Sequence, residues 1–231
     1  MDWKDKMESK MKYITDEEKS LIMGLRKPMR EKMEKYINLT NQIKEWEIYD
    51  EPELELIVKG FEKFPREEVS KLYKLYLTDE IAEKLLRIGT KYENNTSLIC
   101  NIISASGNMI NRYQVKPTDK LYAFVRQFIN QPKIDYFVAI HIDAFPQFKI
   151  SEDKWDYIMS ILDIKPKTKS FGIFRSKIWR SLSEKETIPG EYKNKIIAII
   201  QSKIEEAKTK QNEAATKNYS QYIELLCGKN E

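Results

Sequence analysis

Two cysteines and one histidine bound the nucleophilic and metal chemistry open to this 231-residue chain. His141 is the side chain whose ordinary pKa suits a general base near neutral pH. It falls on one helical face with Ile134, Phe137, Val138 and Phe145, which predicts a core histidine with a hydrogen-bonded ring. Asp143, two residues on, points to another side of a helix and would not orient that ring. Cys100 stands between Ile99 and Asn101 in an apolar stretch, and Cys227 stands in the last apolar turn. A reactive thiol needs a basic, partly exposed setting. Both cysteines therefore read as small buried hydrophobes. A structural zinc site takes about four Cys or His ligands, and the three residues here are widely spaced, so neither a metal site nor a disulfide framework is expected. The glycine-rich nucleotide loops GxGxxG and GxxxxGK[ST] do not occur. Ser104-Ala105-Ser106-Gly107 lacks the first glycine of the GxSxG hydrolase turn. With no convergent catalytic set, no enzyme activity and no cofactor are expected.

Charge is concentrated in two places. Residues 44–68 carry nine acids against four bases, including Glu47, Asp50, Glu51, Glu53 and Glu55. Acids near helix starts are ordinarily solvated caps that complement the helix dipole, and they also form a candidate acidic binding patch. Residues 165–185 carry seven bases against one acid. Lys165, Lys167, Lys169, Arg175, Lys177 and Arg180 form a candidate basic patch, with Phe171, Phe174 and Trp179 interleaved. Lysines at a helix start could hold phosphate, and Trp179 could stack on a base. The competing reading takes Phe171, Phe174 and Ile178 at i, i+3 and i+7 as a core stripe, with the bases as the opposite, wet face.

The elements that position these residues are marked by prolines and caps. Thr15 to Glu18 forms a capping box, and Thr78 and Ser151 start further helices. Pro28, Pro52, Pro65, Pro117, Pro132 and Pro189 each read as a helix start, because the missing proline N–H has no partner in the first turn anyway. Pro65 is followed by a ladder of Val69, Leu72, Tyr73 and Tyr76, and Pro117 by Leu121, Phe124, Val125 and Phe128, an offset of 52. Ile164-Lys165-Pro166 repeats Val115-Lys116-Pro117 at an offset of 49, continuing as Phe171 on Tyr122 and Arg175 on Arg126. Leu98 to Tyr113 has a β-branched start, but its helical surroundings favour a buried helix.

These features predict an all-α fold of stacked short helical hairpins, either an irregular HEAT-like repeat or a helical bundle. The general look resembles HEAT-like helical repeats, whose units of about 40–47 residues are slightly shorter, although no diagnostic family signature is present. The expected organisation is a flexible segment at 1–15 and an all-helical domain at 16–208. Possible units lie near 65–114, 117–163 and 166–208. A polar extension at 209–231 would dock through a C-terminal turn.

The chain is 41% hydrophobic and 33% charged, too apolar for general disorder. No apolar run reaches the roughly 18–20 residues that span a bilayer. The charged start Met1-Asp2-Trp3-Lys4-Asp5-Lys6 lacks the apolar core of a signal peptide, so a cytoplasmic location is expected. Lysine outnumbers arginine 32 to 8. An A/T-rich coding sequence would give that bias regardless of function, so the net charge of +4 singles out no partner. The expected function is a non-catalytic protein-interaction module, such as an adaptor, a regulator or an inhibitor or immunity-type factor. The alternative is nucleic-acid binding through residues 165–185.

Overall fold

The structure, a computed structural model, describes residues 15–67 and 70–228. The described residues form thirteen α-helices and three short 3-10 turns, with no strand among them, as an all-α fold requires. None of these helices is long and apolar enough to cross a membrane. Apart from Thr15, the N-terminal segment expected to be flexible lies outside the described residues, as do Glu68 and Val69. Contacts divide the chain into two compact units, the first ending at Ser151 and the second beginning at Glu152. That boundary falls inside the 16–208 stretch expected to form a single domain.

The first unit holds α1 (Asp16–Met23), α2 (Lys27–Lys44), α3 (Glu51–Arg66), α4 (Lys71–Lys74) and α5 (Asp79–Lys91). It continues with α6 (Thr96–Tyr113), α7 (Asp119–Arg126), α8 (Asp135–His141) and α9 (Pro146–Lys149). Its centre is the α3–α6 pair, flanked by α2, α5 and α8. α6 is the apolar segment with the β-branched start, and it buries Leu98, Ile99, Ile102, Ile103, Ala105 and Met109. Burial on that scale outweighs the weak strand preference of β-branched residues. Side-chain caps fix the helix starts. Asp50 and Glu53 form a reciprocal capping box on α3, Thr78 caps α5 and Thr118 caps α7. Asn95 caps α6 through Leu98 N–H and also donates its amide to Glu51 and Glu55 of α3.

Pro65 corrects the first reading. It does not open a helix but lies inside the last turn of α3. Phe64 is fully buried and stacks on Tyr36 with ring centroids 4.3 Å apart. That packing holds the residue before proline in the helix despite its bias toward extended backbone. The next helix, α4, is only four residues long and is capped by Ser70, so the 52-residue echo does not mark two equivalent helix starts. The helix expected from Pro132 through Phe145 is also interrupted. It runs from Asp135 to His141, tightens into a 3-10 turn at Ile142–Ala144, and stops where Phe145 turns extended ahead of Pro146. Within it, Val138 and Ala139 are buried, whereas Phe137 and Ile140 are half-buried.

The second unit holds α10 (Lys154–Ser160), α11 (Lys167–Ser183), α12 (Gly190–Thr209) and α13 (Glu213–Cys227). α12 and α13 pack along each other as a hairpin. Gln211 takes a left-handed backbone at φ 54° in the turn, and Asn212 caps α13. Residues 213–227 are thus one continuous helix, with Tyr222 and Leu226 buried. Only the end of this stretch was expected to dock.

Candidate functional site

The structure places His141 in the core, 8% exposed. It packs so tightly on Gly107 of α6 that a Cβ there would lie 2.5 Å from the ring. Nearby polar groups are also interior. Ser104 Oγ donates to Glu62 Oε1 at 2.7 Å, and Glu62 also receives the Arg66 guanidinium. Ser104, Ser106 and His141 are all buried within the helix packing. Cys100 is buried and donates to the Lys133 carbonyl. Burial pushes its thiol up to about 11, away from thiolate chemistry. Cys227 corrects the sequence reading, because it is exposed. Leu226 takes the inward position at 4% exposure, and the next residue on a helix points about 100° away.

The densest group of perturbed ionisable side chains joins α2 to the end of α3. Lys32 pairs with Glu67. The hydrogen bond to Glu67 raises Lys32 against the opposing effect of burial. Burial raises the Tyr36 phenol, and its bond to Glu67 adds to that effect. Burial also acts to raise Glu67, but the hydrogen bonds from Lys32 and Tyr36 outweigh it and leave the carboxyl below its usual range. Each group is therefore fixed more firmly in its ordinary neutral-pH charge state. A proton-transfer site needs the opposite, groups brought toward the working pH.

The acidic candidates do not converge. Glu47 pairs with Lys84 at 3.6 Å. Asp50 and Glu53 serve the α3 cap, and Glu51 and Glu55 accept from Asn95. No group of three or more His, Cys, Asp or Glu side chains able to hold a metal occurs among the described residues.

The basic candidates divide. Lys165, Lys167 and Lys169 are exposed around the start of α11. Arg175 donates to Asn218 at 3.0 Å and lies 5.7 Å from the ring centroids of both Tyr219 and Tyr222. Arg180 pairs with Glu184 at 3.1 Å. Lys177 is buried at 4% exposure, contrary to a wholly wet basic face. At the 49-residue offset Lys177 corresponds to Phe128, which is buried in the turn after α7. The expected core stripe is present, with Phe174 and Ile178 buried and Phe171 half-buried. Trp179 is 48% exposed, and its ring lies 5.5 Å from that of Tyr222.

A different region forms an open groove of about 1190 Å³ along the full length of α5. α5 and α7 run side by side. Lys116 N–H donates to Asp79 Oδ1 at 2.7 Å, the Arg87 side chain and, to a smaller extent, Lys120 hold the Glu83 carboxyl below its usual range, and Gly89 meets the Phe124 ring. A Cβ at Gly89 would come within 2.4 Å of that ring, so the absence of a side chain sets the spacing of the two helices. Trp46, Ala82, Leu86 and Leu121 line the apolar part. Asp79, Glu80 and Glu83 line it at the start of α5, facing Lys116, Asp119 and Lys120 from the α7 side, and Arg87 and Lys91 line it toward the end. Lys91 Nζ sits 5.2 Å from the Trp46 ring centroid, within cation–π range. Glu83 and Arg87 pair at 2.6 Å, and Asp119 accepts from Gln147 at 2.7 Å. Glu80, Lys116 and Lys120 make no ion pair among the described residues.

Sequence reasoning missed this groove, because Thr78 registered only as a helix start and Lys116 only as part of the 49-residue echo. The available signal was the order of charge on the outward face of residues 79–91, acids first and bases last. No protein-family model matches the chain, and comparison with curated proteins and with solved structures finds no match.

Proposed function

We propose that this chain is a non-catalytic protein-interaction module that docks a polypeptide segment of a partner in the α5–α7 groove. The observation that carries this reading is the groove's lining, a narrow apolar floor between charged walls of both signs. Its volume exceeds the roughly 300–1,000 Å³ of small-molecule sites. α5 has 13 residues, which makes the groove about 20 Å long, the length of three to four helical turns of a bound segment. Apolar contact at the floor with hydrogen-bonding charge at the rim is the usual make-up of a protein interface.

Nucleic acid fits this site poorly, because its four acids balance its four bases and phosphate attraction requires net positive charge. The alternative, nucleic-acid binding at residues 165–185, rests on exposed Lys165, Lys167 and Lys169. It is weakened because Arg175, Lys177 and Arg180 are turned to contacts within the protein. The chain would act as an adaptor, regulator or inhibitor through stacked short helices. Its two free cysteines suit a reducing cytoplasm.

Crosslinking in source cells tests the reading, comparing the unaltered chain with Leu86→Arg. The expected result is a polypeptide captured by the first and lost from the second. Equal capture by both would contradict it. An oligonucleotide bound at low salt and released by Lys167→Glu with Lys169→Glu would favour the alternative.

A further inference from the structure

We infer that the groove selects a short amphipathic segment whose charge polarity is the reverse of α5, with a basic residue at one end, an acidic residue at the other and an apolar face between. This inference rests on the docking role proposed for the groove. At its α5-start end the four acids Asp79, Glu80, Glu83 and Asp119 outnumber the two bases Lys116 and Lys120, and the bases Arg87 and Lys91 lie at the far end. Acid-first, base-last order also complements the dipole of α5 itself, so the polarity is compatible with a stable helix. At the far end Lys91 is held over Trp46 and over Tyr92, at 5.2 and 5.1 Å from the ring centroids. No carboxylate pairs with it among the described residues. An incoming carboxylate would gain a charge-assisted hydrogen bond there. At the start Glu80 is exposed and without an ion pair, and it would take a lysine or arginine. A uniformly basic or uniformly acidic segment meets like charge at one end, and such juxtaposition is a source of specificity.

The test pans a displayed library of random 15-residue peptides against the full chain. Clones are retained if they bind at least about tenfold better to the unaltered protein than to Leu86→Arg. Thr90→Arg, at an exposed position lining the same groove, serves as a second blocking variant should Leu86→Arg fail to fold. The expected result is a recovered pattern with Lys or Arg at one end, Asp or Glu at the other and apolar residues at i, i+3 or i+4 between. Lys91→Glu with Arg87→Glu should then lose these clones and recover ones without the acidic end. Groove-dependent clones with no charge polarity would overturn this inference while leaving the docking role intact. Recovery of only groove-independent clones, or of none, would overturn the docking role and this inference together.

Discussion

Two charged surfaces of this protein, the α5–α7 groove and the face of α11, begin from related sequence and end in different electrostatic states. Both follow an apolar-Lys-Pro start, Val115-Lys116-Pro117 in one and Ile164-Lys165-Pro166 in the other, with Val115 and Ile164 both buried. Eleven residues beyond each proline, Phe128 is buried in the turn after α7 and Lys177 is buried within α11. Arg126 lies over Tyr122 within one helix, whereas Arg175 is engaged by Tyr219, Tyr222 and Asn218 of α13. Charge counted along the sequence thus overstates what α11 offers to a partner. The groove is neutral in sum, yet it keeps Glu80, Lys116 and Lys120 outside ion pairs at its α5-start end, with Lys91 at the other. Accessibility and order of charge, more than its total, distinguish a docking surface from a solvated or internally paired one.

The largest expected effect concerns the groove's framework. Phe124→Ala should cost about 3–5 kcal/mol, because Phe124 is buried against Gly89 and Phe128. Chemical denaturation measures it, and a loss well under one kcal/mol would mean that α5 and α7 are not spaced by this contact. Gly89→Ala should cost about 1–3 kcal/mol by overpacking the same contact, with unfolding midpoints as the readout. On the other surface, Arg175→Ala should cost about 1 kcal/mol, the scale of a cation–π contact with a hydrogen bond. Lys167→Ala should stay within about 0.5 kcal/mol. Equal effects of these two substitutions would erase the proposed division of the basic segment.

The smallest effect is on pH dependence. The Glu67 carboxyl lies below its ordinary value in the folded protein, so its contribution is present above the unfolded value of 4.5 and is lost as pH falls through its folded value. Tyr36 is raised, so its contribution is present below the unfolded value of 10.0 and is lost as pH rises beyond it. Glu67→Gln should flatten the acid limb of the stability curve, and an unchanged limb would dissociate Glu67 from it.

How much of this was readable in the sequence depended on how local the cause was. Capping boxes at Thr15 and Asp50 involve residues three apart, and their patterns foretold the helix starts. The core role of His141 followed from helical phase, and the structure adds the reason for its close fit, the bare backbone of Gly107. Pro65 misled because its helix is held by Phe64 against Tyr36, a residue 28 positions away. Lys177 was expected on the wet side because residue type was weighed above phase. The groove depends on α5 and α7 lying side by side, joined by Asp79 to Lys116 across 37 residues, and no local pattern reveals such a pairing.

The most direct test measures the affinity of one groove-selected peptide for three forms of the chain by titration at moderate salt. Compared with the unaltered protein, Leu86→Arg should weaken binding at least about tenfold, while Lys165→Glu, Lys167→Glu and Lys169→Glu combined should leave it within about twofold. Loss of binding in the triple variant with full affinity in Leu86→Arg would contradict the account and move the docking surface to α11.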